Sequence, residues 1–176
     1  DDAFNYGAIG AVIGHEMTHG FDDFGRNFDN EGNMKDWWTP EDSEKFNQLS
    51  TVMKDFFDKI KINDEVNANG TFTLGENLAD YGGLTIAYDA YKKFGDNVID
   101  TVGMTPDMRF FIAYAGTWAQ NIRDEEALRL TKNDEHSLGK NRINGIVVHI
   151  DAWYDAFGID KNSKMYIAPE NRVKLW

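Results

Sequence analysis

Five residues near the start of the chain, His15-Glu16-Met17-Thr18-His19, have the types and spacing for metal-assisted hydrolysis. Successive residues of an α-helix turn by about 100°, so positions four apart stack on one face. Both imidazoles then point the same way and can share one small cation. Glu16 leaves the helix beside the pair, where its carboxylate can take a proton from metal-activated water without being a ligand. The H-E-x-x-H spacing therefore reads as two zinc-binding nitrogens plus a general base.

Two histidines do not complete such a site, because a catalytic zinc takes three protein ligands and leaves a fourth position open. The chain has no cysteine, so the third ligand is His136, His149 or a carboxylate. Glu76 is the best placed by its surroundings, Gly75-Glu76-Asn77-Leu78-Ala79-Asp80. Glu76 and Asp80 lie four apart on a predicted helix and can face one spot. One could bind metal while the other accepts the outer N–H of a ligating histidine and fixes its tautomer. Acids near a helix start also suit the helix dipole, so spacing alone leaves this assignment open. His149 precedes the last predicted helix and reads as structural.

These side chains need helices to position them. Residues 5–20 read as the first, with Ile9, Ile13 and Met17 as an i, i+4 stripe expected to face the core. Val12, His15 and His19 lie on a different face, and Gly7, Gly10 and Gly14 suggest close packing against a neighbour. Residues 21–38 read as turns, with a short hairpin around Asn30–Gly32. Thr39, Pro40, Glu41 and Asp42 form a helix start, and an apolar stripe from Phe46 continues to about residue 61. A third helix runs over about 74–93, where Gly82 and Gly83 again permit close contact. Thr105-Pro106-Asp107 opens a fourth, 123–131 suits a short charged helix, and 148–157 reads as the last. Residues 62–72, 95–104 and 133–140 read as loops. The expected fold is mainly α with a little β.

With 176 residues, 41% of them apolar and 14% aromatic, the chain can build one core. A net charge of −12 argues against nucleic acid, whose phosphates demand clustered Lys and Arg. No apolar run reaches the roughly 18 residues of a membrane span. No repeat or composition break marks a second domain. Because the zinc motif comes so soon after Asp1, the expectation is a single catalytic domain, residues 1–176, that is the C-terminal part of a longer chain.

The stretch from Asn5-Tyr6-Gly7 through Val12-Ile13-Gly14-His15-Glu16-Met17-Thr18-His19-Gly20-Phe21-Asp22-Asp23 resembles the catalytic helix of the neprilysin family of zinc endopeptidases. Gly75-Glu76-Asn77-Leu78-Ala79-Asp80 with Gly82-Gly83 is similar to that family's second motif. Asp134-Glu135-His136-Ser137 followed by Arg142 is similar to its third, and the closing Trp176 matches the way these chains end. The resemblance implies a zincin fold of the thermolysin-like, gluzincin kind, its H-E-x-x-H helix packed on a Glu-x-x-x-Asp helix. It implies one Zn²⁺ per chain held by His15, His19 and Glu76, with Glu16 as general base. Asp80 would orient a zinc histidine or donate a proton, and Asp22 would support His19. His136 would stabilise the developing oxyanion, and Arg142 would hold the substrate backbone or support His136. Val12, Thr117 and Trp118 would line the pocket for the residue after the scissile bond.

The implied substrate is a short oligopeptide. The implied partner is the missing N-terminal part of the same protein, whose upstream strand and helical domain complete the cleft. Leu138 stands where the third motif often carries proline, which bears on loop stiffness more than on chemistry. The absence of cysteine points to a bacterial-type member and fits the cytoplasm, while the resemblance slightly favours the bacterial periplasm or cell surface. The alternatives are a zinc exopeptidase, which should show a terminus-binding charge cluster, and a non-catalytic binding module that keeps the fold.

Overall fold

The structure, a computed structural model, describes residues 1–96 and 103–175. Most of the loop expected at 95–104, and the closing Trp176, lie outside the described residues.

The chain opens as one continuous helical rod. Helix α1, Asp2–Asn5, passes through a π-helical turn, Tyr6–Gly10, into α2, Ala11–Thr18, and a 3-10 turn, His19–Phe21, ends the rod. Asp1 caps its start by accepting the Phe4 backbone N–H at 2.8 Å. A second 3-10 turn, Gly25–Asn27, precedes a bridge between Phe28 and Met34, so the hairpin expected around Asn30–Gly32 is present as a single pair. Gly32 turns it with a φ of 80°. The other β feature among the described residues is a bridge between Lys61 and Asn67.

Helix α3, Pro40–Phe57, starts as its sequence requires, with the Thr39 side chain accepting the Asp42 N–H at 3.1 Å. Helix α4, Leu74–Phe94, is the axis of the fold, and every residue from Glu76 to Leu84 is buried. Helix α5, Pro106–Thr117, repeats the Thr-Pro start and presents Phe110, Phe111 and Tyr114 to the core. Then follow α6, Asp124–Asn133, α7, Gly139–Val147, and α8, Asp151–Phe157, with a last 3-10 turn at Pro169–Asn171. Tyr88, Tyr91, Phe110 and Phe111 interlock as stacked and edge-on rings between α4 and α5.

Two expectations need correction. The stripe Ile9, Ile13, Met17 does not face the core; these residues are 58%, 56% and 63% exposed. The rod instead buries Ala3, Gly7, Ala11, Gly14 and Thr18, which a 100° step per residue puts about 120° round the helix from that stripe. Small residues won the inner face because backbone meets backbone there. A Cβ on Gly14 would sit 2.7 Å from the Gly83 carbonyl oxygen. The same is true at Gly7 against Phe110, whereas a Cβ on Gly10 would make ordinary contacts from 3.5 Å outward. The second correction is α7, which begins in the segment expected to be loop and is a separate helix before α8. Its glycines and asparagines gave it no strong helical signal.

Candidate metal centre

The site is assembled from three places on this frame: the end of α2, the first two turns of α4, and the stretch from the α6–α7 loop into α7. Close approach of α2 and α4 across Gly14 and Gly83 lets short side chains meet between them. His15 Nε2 lies 3.3 Å from Glu76 Oε2, and His19 Nε2 lies 3.4 Å from Glu76 Oε1. The two Nε2 atoms are 3.1 Å apart. Together His15, His19 and Glu76 offer three ligand atoms within 4.8 Å of one another.

The outer nitrogens decide what the inner ones are. His15 Nδ1 faces Asp80 Oδ1 at 2.9 Å, and His19 Nδ1 faces Asp22 Oδ2 at 2.7 Å. Each carboxylate takes an N–H, which makes both neutral rings Nδ1–H tautomers with a bare lone pair at Nε2. Two lone pairs and a carboxylate then converge on one point. Glu76 Oε2 is buried with no hydrogen-bond partner. Such an arrangement is electrostatically unfavourable unless a proton or a metal cation lies between the groups. Two imidazoles and one carboxylate are the donor set of zinc hydrolases with an open position, so the residues present fit the metal.

The charges point the same way. Burial alone would lower the pKa of His15, but the hydrogen bond to Asp80, the Glu76 carboxylate 3.3 Å away and the Asp80 charge reverse this and raise it to about 9. Burial pushes the Glu76 carboxyl up, and the surrounding histidines, His15 first, more than offset that, so its pKa is lowered. The acids around His15 thus favour its charged form, and the histidines around Glu76 favour its ionised form.

Asp80 and Asp22 are themselves held in place by further bonds. Arg142, itself buried, donates from Nε to Asp80 Oδ2 at 2.7 Å and from Nη2 to Asp80 Oδ1 at 2.8 Å. Its guanidinium stacks 3.7 Å above the Trp118 ring, and its backbone oxygen accepts the Tyr114 hydroxyl at 2.9 Å. Asp22 Oδ1 accepts the backbone N–H groups of Phe24 and Gly25, which fixes the carboxylate against His19.

Glu16 is exposed beside His15. His136 sits in the α6–α7 loop, its side chain 46% exposed, with Nε2 3.2 Å from Glu76 Oε2 and Nδ1 2.8 Å from Asp134 Oδ1. Val12 is half-buried on α2, Thr117 ends α5, and the half-buried Trp118 caps that helix, its ring centroid 6.3 Å from that of His15. A cavity of about 550 Å³ opens on His19 and Glu76 and is also lined by Asp22, Asp23, Phe24 and Phe72. His149 is not part of the site; it is buried, and its Nδ1 accepts the Val173 N–H at 3.2 Å. Sequence reasoning assigns Asp134 no role, yet its carboxylate holds the His136 ring. The available signal was its position two residues before His136, where an aspartate can accept the following N–H and turn the chain, as it does at 2.9 Å.

Residues 1–173 match Peptidase family M13. The chain is 41% identical over 181 residues to human membrane metallo-endopeptidase-like 1, and 39% identical over 182 residues to human neprilysin. These alignments cover 99% of this chain but 23% and 24% of those proteins, so the chain spans about a quarter of the length of the curated relatives it matches. Among solved structures, the inhibitor complex of the Mycobacterium tuberculosis zinc metalloprotease Zmp1 superposes with a TM-score of 0.92 at 36% identity, covering 99% of this chain and 28% of that one. PepO from Lactobacillus rhamnosis superposes with a TM-score of 0.87 at 38% identity, covering 98% of this chain and 26% of that one. A helical frame with two histidines and a glutamate turned onto one point defines the zincin class of metallopeptidases. The chain belongs to peptidase family M13, the neprilysin family.

Proposed function

We propose that the protein is a zinc-dependent endopeptidase that cleaves short oligopeptides, and that residues 1–176 form its catalytic domain. The observation that carries this is the convergence of His15 Nε2, His19 Nε2 and the Glu76 carboxylate, with both outer nitrogens already committed to Asp80 and Asp22. When bound to these three residues, zinc would act as a Lewis acid that lowers the pKa of water towards about 7. Glu16, exposed beside the ligands, takes the proton of the attacking water and passes it to the leaving nitrogen. His136 donates a hydrogen bond to the oxyanion that forms on the scissile carbonyl. Asp80 and Asp22 hold the two imidazoles in the ligating tautomer, and Arg142 holds Asp80. Val12, Thr117 and Trp118 line the pocket for the residue after the cleaved bond.

The exposed stripe Ile9, Ile13, Met17 gives the proposed partner its seat. An apolar row of this kind on the helix that carries the ligands is unusual for a finished surface. The rest of a protein of its relatives' length covers it and supplies the remaining substrate contacts.

The test is metal content and turnover of the full-length protein. One zinc per chain and chelator-sensitive cleavage of an internally quenched short peptide support the proposal. Zinc without cleavage favours a binding module, and release of single terminal residues favours an exopeptidase; either result overturns it.

A further inference from the structure

The half-exposed ring of His136 must be held at a fixed height above the ligands if it is to meet an oxyanion. Within its loop, Asp134 bonds the ring Nδ1 and the His136 backbone N–H. That fixes the ring relative to its own loop, but not the loop relative to the metal ligands. The other ring contact, to Glu76, engages a carboxylate that the metal would claim.

The link between loop and ligands is made one residue further along each segment. Ser137 follows His136, and Asn77 follows Glu76. Ser137 Oγ donates to Asn77 Oδ1 at 2.8 Å, and both side chains are buried, Asn77 completely. The direction of the chain of bonds is set from below. Thr73 Oγ1 donates to the Asn69 carbonyl at 3.0 Å, which leaves its lone pair for Asn77 Nδ2 at 2.9 Å. The Asn77 amide therefore presents its oxygen, not its nitrogen, to Ser137. Among the described residues, no other side-chain bond apart from the His136–Glu76 contact joins the 134–138 loop to α4.

We infer that Asn77 and Ser137 are positioning residues, a buried tether that sets His136 in register with the turn carrying Glu76. The inference rests on the endopeptidase reading of the site. The two residues touch neither metal nor substrate; they act through His136. Misplacement of a catalytic group by about 1 Å can cost a factor of 10², and loss of one hydrogen bond should shift the loop by less.

The experiment compares wild type, Ser137→Ala, Ser137→Thr, Asn77→Ala and the Ser137→Ala/Asn77→Ala double variant in the full-length protein. Zinc content, kcat and KM for a quenched peptide, and calorimetric affinity for a phosphonate tripeptide that mimics the tetrahedral intermediate are measured. For Ser137→Ala the expected result is full zinc content, KM within twofold, kcat down about tenfold, and a similar loss of phosphonate affinity. Ser137→Thr, which keeps the hydroxyl, should restore both, and the double variant should lose no more kcat than Asn77→Ala alone. Wild-type kcat and phosphonate affinity in folded Ser137→Ala overturn the inference, as does a loss of activity that merely follows a loss of zinc. Should the wild type bind zinc but cleave nothing, the endopeptidase reading fails. The tether is then judged on phosphonate binding alone, where equal affinity of wild type and Ser137→Ala overturns it.

Discussion

Arg142 and Asp80 form a buried two-pronged pair, with Nε on one carboxylate oxygen at 2.7 Å and Nη2 on the other at 2.8 Å. The second of those oxygens also faces His15 Nδ1 at 2.9 Å. One carboxylate thus joins α7 to the His15 imidazole on α2 through α4, and the position of that candidate ligand depends on a helix that contributes none of the three candidate ligands.

Asp80→Asn should therefore weaken zinc binding about 10–100-fold, the usual effect of removing the partner of a ligating histidine. It also strands a buried guanidinium, at a cost of about 3–5 kcal/mol in stability. Competition with a chromogenic chelator and a thermal melt read the two effects separately. Unchanged zinc affinity would show that Asp80 does not act through His15.

Glu16→Gln should retain zinc and lose nearly all turnover, since the amide keeps the shape but cannot accept a proton. His136→Ala should also retain zinc and lose roughly 10²–10³ in kcat, the effect of deleting one oxyanion donor, about 3–4 kcal/mol. Metal analysis beside steady-state kinetics checks both. Loss of metal in either variant would reassign the residue to zinc binding.

The contact between α2 and α4 has no room for a methyl group at Gly14, where a Cβ would meet the Gly83 carbonyl oxygen at 2.7 Å. Gly14→Ala should push the two helices apart, lowering stability by about 1–3 kcal/mol and weakening zinc binding with it. Gly10→Ala, whose new methyl group meets ordinary contacts from 3.5 Å outward, is the matched control. Denaturant melts with and without zinc would reveal the difference, and equal effects at the two sites would refute the close-contact account.

Burial, and then the charge of Arg172, depress His149 from 6.5 to about 4. Between those values the unfolded chain takes up a proton that the folded chain refuses, so stability is fully present above pH 6.5 and falls as the pH drops towards 4. The contribution lost is on the order of 3 kcal/mol. Urea melts at pH 7 and pH 4.5 should show a smaller acid loss in His149→Gln than in the wild type. Equal losses would place the acid sensitivity elsewhere.

Much of the site was legible before any fold was known. Four-residue spacing puts His15 with His19 and Glu76 with Asp80 because helical geometry is local, and Thr39-Pro40 and Thr105-Pro106 mark helix starts by the same local chemistry. Helix α7 was missed because its hold is tertiary: Arg142 and Ile146 are buried against the core, while its own propensities are weak.

The sequence alone determined which groups could bind a metal and where the helices other than α7 lie, since both follow from side-chain type and from contacts within one or two turns. It could not say which face of the first helix is inside. Hydrophobicity favoured Ile9, Ile13 and Met17, yet the tertiary structure buries the glycine and alanine face, because only small residues let α2 approach α4 closely enough for His15 and His19 to reach Glu76. The pairings of His15 with Asp80, Asp80 with Arg142, and Ser137 with Asn77 likewise span 60 or more residues. No local rule specifies them; they exist because helix packing brings distant segments within hydrogen-bonding distance.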